Sequence, residues 1–426
     1  MKNLTPPELA AVAAVDRDRI AEDLTALVRI ESVTGNESAV QTEAALRMAM
    51  AGLEVTRIDA DPGEIVADPD FPGMESPRTV LPVVAGAIGR VGSARRVIIC
   101  GHVDTVAPGA REHWSTDPFG AEIRDGRLYG RGALDMKGGV VAGLAALRAL
   151  VETDADLDGE AVLLTVPGEE DGGSGMLAAI RAGYVAEMAV ITEPTRLEIV
   201  TAHAGALTFR LTISGRSAHA AFRLEGVSVI EKLYVIHQAL LEDERVRNAG
   251  ERHPAMRDLA LPYPTNLGMV AAGDWSSTVP EALVLEGRYG VRVDESPEQA
   301  EQALRDAIAA ACESDPWLRE HPAGVEITGG RFASAALPHT HELPWGLGET
   351  ARDVLGKLPA FVGMPYGADM RLLVHQGATP TVMYGPGEPT LAHAPDEHVD
   401  LEEIARCARV LAVWTMRALA AGQHSA

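Results

Sequence analysis

Apolar runs rich in β-branched residues recur along this chain, and each leads to an imidazole or a carboxylate. Val97-Ile98-Ile99-Cys100-Gly101 leads to His102 and Asp104. The run 161–166 leads through Pro167-Gly168 to Glu169 and Glu170, and 188–191 leads through Thr192 to Glu193. Far downstream, Val382-Met383-Tyr384-Gly385-Pro386-Gly387 leads to His393. Runs of this length without alternation fit strands buried on both faces, which points to a parallel sheet covered by helices. In such sheets ligands bind beyond the carboxyl ends of the strands, where these polar side chains fall. The segment Gly138-Gly139 to Val151, rich in Ala, Leu and Val, reads as a buried helix after Asp135.

At 426 residues the chain exceeds one ordinary core, so two domains are expected. From about residue 206 the pattern changes. Leu207-Thr208-Phe209-Arg210-Leu211-Thr212-Ile213 alternates, as a half-exposed strand does. A helix over 226–241, strands near 266–270 and 282–293, and a helix over 297–311 complete a strand-helix-strand-strand-helix module. It reads as an insertion, 206–322, between the halves 1–205 and 323–426 of a metal-binding domain, with the return near 323–328. Residues 6–30 read as helical, 39–51 as a second helix and 59–78, rich in Asp, Pro and Gly, as a surface loop.

A net charge of −24 argues against a nucleic-acid or anionic-membrane partner, because both require a basic face. No stretch reaches the ~18 apolar residues needed to span a bilayer. Met1-Lys2-Asn3-Leu4 has no apolar signal core. The sparse, odd set Cys100, Cys312 and Cys407 lacks CxxC spacing and fits a reducing compartment, so a cytoplasmic location is expected.

Carboxylate oxygen and imidazole nitrogen are the donors that borderline divalent ions prefer. A hydrolytic ion pair also needs a bridging carboxylate to hold the ions about 3.5–4 Å apart. We therefore assign His102, Asp135 and Glu193 to one ion, and His393, Asp135 and Glu170 to the other, with Asp135 shared. Glu169, beside a ligand, is placed to move a proton from water to a leaving nitrogen. Asp104, two residues after His102, is expected to accept the imidazole proton through its carboxylate. Histidines such as His113, His339 and His424 lack such a setting and read as structural or surface residues.

These residues resemble the acetylornithine deacetylase/succinyl-diaminopimelate desuccinylase family of dinuclear zinc amidohydrolases, to which aminoacylases and glutamate carboxypeptidases are related. The matching segments run in family order from Gly101-His102-Val103-Asp104-Thr105 through Gly130-Arg131-Gly132, Asp135-Met136-Lys137-Gly138-Gly139, Glu169-Glu170 and Glu193-Pro194-Thr195 to Ala392-His393. The resemblance implies a zinc-exopeptidase-like α/β fold with a mixed, mainly parallel sheet flanked by helices. The insertion would be a ferredoxin-like lid through which a homodimer forms. It also implies two zinc ions on the ligands assigned above, with cobalt or manganese suited to the same donors, and a cis Asp135–Met136 peptide.

Gly215-Arg216-Ser217-Ala218-His219-Ala220 resembles the family segment whose histidine reaches across the dimer to the carbonyl oxygen under attack. The family's carboxylate-binding arginine would fall near Gly290; here Arg288 and Arg292 flank that position, Arg288 being the better placed, with Asn266 as partner. Family dipeptidases tend to carry Asp where this chain has Glu193, whereas deacylases and glutamate carboxypeptidases carry Glu. The implied activity is hydrolysis of an N-acyl amino acid or a related small amide. The alternatives are a carboxypeptidase or dipeptidase of the same family, and an inactive ligand-binding homologue.

Overall fold

The computed structural model describes residues 3–338 and 340–420, so His339 and His424 lie outside the described residues. The chain divides into two compact units: Met1–Thr201 with Leu337–Val362 and Ala368–Ala426, and Ala202–Ala336 with Gly363–Gly367.

The sheet of the first unit is mixed, with its parallel pairs gathered at the centre. Strands Glu160–Val166, Arg96–His102, Met188–Ile191 and Thr381–Met383 lie side by side in that order, each parallel to the next. These are the apolar runs, buried along almost their whole length. Antiparallel strands flank them: Leu81–Gly89 and Glu54–Ala60 on one side, and Ile199–His203, on which the chain crosses into the second unit, on the other. Strand Glu54–Ala60 and the short helix Pro62–Val66 occupy part of the stretch whose composition reads as loop. At the sheet edge a strand needs only one apolar face, so its signal in the sequence is weak.

Helix Gly138–Glu152 is buried at twelve of its fifteen positions. Glycines let it ride directly on the strands. A Cβ at Gly143 would come within 2.8 Å of both Ile99 and Leu163, and one at Gly139 within 2.0 Å of the Thr192 carbonyl oxygen. Leu401–Ala418 packs along this helix, its N-terminus capped by the Asp400 carboxylate. The stretch 6–30 forms two helices, Pro6–Ala14 and Arg17–Val28, because the Asp16 carboxylate accepts from the amides of Asp18 and Arg19 and starts a new helix.

In the second unit the strand order is Thr265–Ala272, Ala282–Val291, Gly205–Ser214, Gly324–Phe332, all antiparallel. Helices Val229–Ala249 and Pro297–Ser314 bury Leu207, Phe209, Leu211, Ile213, Leu283, Leu285 and Tyr289. The order of elements is strand-helix-strand-strand-helix-strand, the ferredoxin-like plan. The segment 323–328, read as the return to the first domain, lies instead in the fourth strand, which pairs with Gly205–Ser214 through Gly324↔Thr212 to Phe332↔Ala206. A three-stranded sheet would leave the inner edge of Gly205–Ser214 unpaired, and this strand covers it.

Candidate metal centre

The parallel strands end together, and their ends deliver the polar residues to one place. His102 is the last residue of its strand. Glu169 and Glu170 follow Glu160–Val166 across a turn, and Glu193 stands two residues beyond Met188–Ile191. Asp135 arrives from the tight turn Ala133–Lys137 ahead of the buried helix, where the Asp135–Met136 peptide is cis.

The Asp135 carboxylate lies between two imidazoles. Its Oδ1 is 3.1 Å from His102 Nε2, and its Oδ2 is 3.4 Å from His393 Nε2. His102 Nε2 also stands 3.9 Å from Glu193 Oε1, and His393 Nε2 3.2 Å from Glu170 Oε2. Donor atoms of His102, Asp135 and Glu170 lie within 4.8 Å of one another, as do those of His102, Glu169 and Glu193. These triads leave out His393 and split the carboxylates differently from the pairwise contacts. One carboxylate with each oxygen facing a different ring is suited to a ligand shared between two cations.

Burial and charge sharpen the site. Burial works against a charged His102, yet its bond to Asp135 and the nearby Glu193 and Asp104 carboxylates outweigh this and raise its pKa well above the usual range. Hydrogen bonds to Asp135 and Glu170 push His393 up to about 11. Burial holds the Glu169 and Glu193 carboxyls well above the ordinary carboxylate range, and neighbouring acids add to it. Glu169 Oε1 is buried and makes no hydrogen bond. A field that draws protons onto rings this strongly also suits divalent cations, and the donors are oxygen and nitrogen throughout. His102 Nδ1 is 3.0 Å from the Asp104 carbonyl, which only accepts, so Nδ1 keeps its proton and Nε2 is the nitrogen at which a cation would replace the second proton. The centre is deep at His102, whose side chain is 1% exposed, and opens at His393, 52% exposed.

Asp104 differs from its expected part. Its carboxylate oxygen is 3.6 Å from His102 Nδ1, beyond hydrogen-bond range. The strand ends at His102, so alternation no longer aligns the two side chains. The Asp104 carboxylate instead accepts from the backbone N–H groups of Glu169 and Glu170, at 3.2 Å each, and from Thr34 Oγ1. It organises the turn that carries both glutamates. Buried Arg78 steadies the same turn by joining Asp171 to Glu37.

The sequence matches the model of peptidase family M20/M25/M40 over residues 98–417. The chain belongs to this family. Among its relatives is an N-formyl-4-amino-5-aminomethyl-2-methylpyrimidine deformylase of Halalkalibacterium halodurans, 26% identical over 342 residues, which are 75% of this chain and 78% of that protein. Another is a succinyl-diaminopimelate desuccinylase of Methylorubrum extorquens, 33% identical over 231 residues, or 51% of this chain and 56% of that one. The di-peptidase Dug1p of Saccharomyces cerevisiae has a similar fold, with a TM-score of 0.73 at 15% identity over 96% of this chain and 98% of that one. This M20 member is therefore a hydrolase with the mixed sheet of its family and a cluster able to hold metal.

In the second unit, His219 is exposed at the head of a short 3-10 turn, where its Nδ1 accepts from the Ala221 amide. With Nδ1 accepting, Nε2 is the ring position left to donate. Arg288 and Asn266 sit directly opposite each other on adjacent strands, with Thr208 on Arg288's other side. All three are on the sheet face away from the helices. Arg292 lies just past the end of that strand at Val291, and it bonds Asp294.

Two residues that the sequence left without a role complete the centre. Glu397 Oε1 accepts from the amides of Leu134 and Asp135, and Arg131 bonds both Glu397 and the His393 carbonyl. Arg131 stands in the Gly-Arg-Gly motif, which signalled importance without function. Glu397, in the stretch Asp396-Glu397-His398, carried no signal.

Proposed function

We propose that this M20 member is a dinuclear zinc amidohydrolase that removes the acyl group of an N-acyl amino acid or a related small amide. The observation that carries this reading is the Asp135 carboxylate set between His102 and His393 with one oxygen toward each. His102, Asp135 and Glu193 would hold one ion, and His393, Asp135 and Glu170 the other. Bound there, the ions would supply Lewis acidity toward the scissile carbonyl and toward water.

The chain's own residues do the rest. Glu169 takes the proton of the attacking water and returns it to the leaving nitrogen; its buried, unbonded carboxylate oxygen suits a group that must exchange protons. Asp104 holds the backbone of that glutamate in place. Arg288, with Asn266, binds the substrate carboxylate, and His219, reaching across the dimer, donates through its Nε2 to the carbonyl oxygen as negative charge develops.

Deacylation is supported by Glu193 at its position and by two relatives named as a deformylase and a desuccinylase. We place the homodimer contact on the second unit, where Phe222, Leu224, Ile230, Tyr234 and Trp275 are exposed, together with Met269 and Val270 on the edge strand. The proposed location is cytoplasmic. Three buried, unpaired cysteines support it, and among the described residues no helix is long and apolar enough to cross a membrane.

The test is metal analysis of the purified protein together with a panel of N-formyl, N-acetyl and N-succinyl amino acids beside dipeptides. Two zinc equivalents and faster turnover of the N-acyl compounds are expected. Absence of bound metal would sink the dinuclear site, and preference for dipeptides would replace the deacylase with a peptidase.

A further inference from the structure

The proposed ligands are not held in place by the same means. His102 ends a strand paired on both sides, and its ring bonds the Asp104 carbonyl. His393 lies on an irregular segment and is half exposed, with φ at +61°, in the left-handed region that a residue with a Cβ enters only when its surroundings impose it.

One buried ion pair reaches this backbone. Arg131 Nη2 donates to the His393 carbonyl at 3.2 Å, and Nη1 donates to Glu397 Oε2 at 2.5 Å. The other oxygen, Glu397 Oε1, accepts from the amides of Leu134 at 3.0 Å and Asp135 at 3.1 Å. The backbone of His393 is therefore linked to the backbone of Asp135 through a guanidinium and a carboxylate. Both side chains are almost wholly buried, and Trp114 covers the guanidinium at 5.2 Å from its ring centre. Shielded from water, neither partner can leave without stranding a charge.

We propose that Arg131 and Glu397 are a positioning pair that sets the separation of Asp135 from His393, and so governs the affinity of the His393–Glu170 metal site far more than that of the His102–Glu193 site, where the His102 ring also holds the shared Asp135. The proposal rests on the dinuclear reading above. The planar fork of arginine reaches two acceptors at once in fixed directions; a lysine in its place reaches one. Residues that orient ligands in this way govern metal affinity by about 10–100-fold.

The experiment titrates the metal-free full-length protein with Co2+, following visible absorption and heat. The wild type is expected to show two binding events. In Arg131→Lys and in Glu397→Gln, one event weakens by about 10–100-fold, and the other keeps its affinity within about threefold. His393→Ala should abolish the same event and leave nothing further for Arg131→Lys to weaken. Equal weakening of both events, or no weakening in either variant, overturns the proposal. Collapse of both metal-free variants in thermal denaturation overturns it too, because the pair would then be scaffold. A wild type that binds fewer than two equivalents fails the dinuclear reading itself, and the clamp with it.

Discussion

Replacing Glu169 by Gln separates proton transfer from everything else this residue touches. Gln has the same shape but cannot take up a proton. Glu169 is 7% exposed, and its donor oxygen lies within 4.8 Å of those of His102 and Glu193. Its backbone amide, held by Asp104, is unchanged by the substitution. A positioned general base contributes about 10²–10⁴-fold. At ~1.4 kcal/mol per tenfold, that is roughly 3–5 kcal/mol of activation barrier. Stability should move the other way. Burial, with Glu193, Asp369 and Glu170 nearby, raises the Glu169 pKa in the folded state. A carboxyl raised above its unfolded value destabilises the fold as pH climbs past that unfolded value, so at neutral pH the metal-free wild type carries an unfavourable term. Gln removes it. We expect Glu169→Gln to lose at least a hundredfold in kcat on the best N-acyl substrate, to bind zinc with unchanged stoichiometry, and to melt higher than wild type when metal-free. Turnover within threefold of wild type, with zinc bound, would refute the assigned role. Loss of one zinc equivalent would show Glu169 to be a ligand instead.

Arg288→Met should raise KM for substrates bearing a free carboxylate by about 10–100-fold, the worth of a charged hydrogen-bonding partner, while Arg292→Met leaves KM unchanged; steady-state kinetics on the two variants decides between the arginines. Gly139→Ala puts a Cβ 2.0 Å from the Thr192 carbonyl, next to Glu193. Overpacking of this kind costs about 1–3 kcal/mol, which chemical denaturation would register as a lower midpoint; an unchanged midpoint would contradict the tight helix-on-strand contact. Bonds from Arg181 and the Asp70 amide hold the Asp68 carboxyl down at about 2. The stabilisation is therefore complete above the unfolded value near 4 and lost as pH falls through about 2. Because the pair is partly exposed, Asp68→Asn should cost less than about 1 kcal/mol at pH 7, and its stability curve should merge with that of wild type only below about pH 2.

Much of the centre was legible because strand burial and ligand position are both local in the sequence. A β-branched run that stops at His102 or just before Glu193 announces a buried strand and the group at its end. The alternation of Leu207 to Ile213 announced the second unit in the same way, since every second residue faces the two helices. Edge elements were harder to read. Glu54–Ala60 has one partner strand and a largely exposed burial pattern, so its composition resembles that of a loop. The strand Gly324–Phe332 carries a register irregularity between Ile327 and Arg331 that breaks its pattern.

The sequence by itself determined which residue types end the core strands, their order along the chain, and hence a site built of imidazole and carboxylate. Only the tertiary structure decided how those groups are oriented. It turned Asp104 from the ring of His102 toward the amides of Glu169 and Glu170, set Arg288 rather than Arg292 opposite Asn266, and tied His393 to Asp135 through Arg131 and Glu397. The reason is physical: residue type and period follow from neighbours a few positions away, whereas a buried hydrogen bond depends on where distant segments meet in space. Glu397 meets Asp135 across 262 positions of chain, a separation that leaves no local pattern to read.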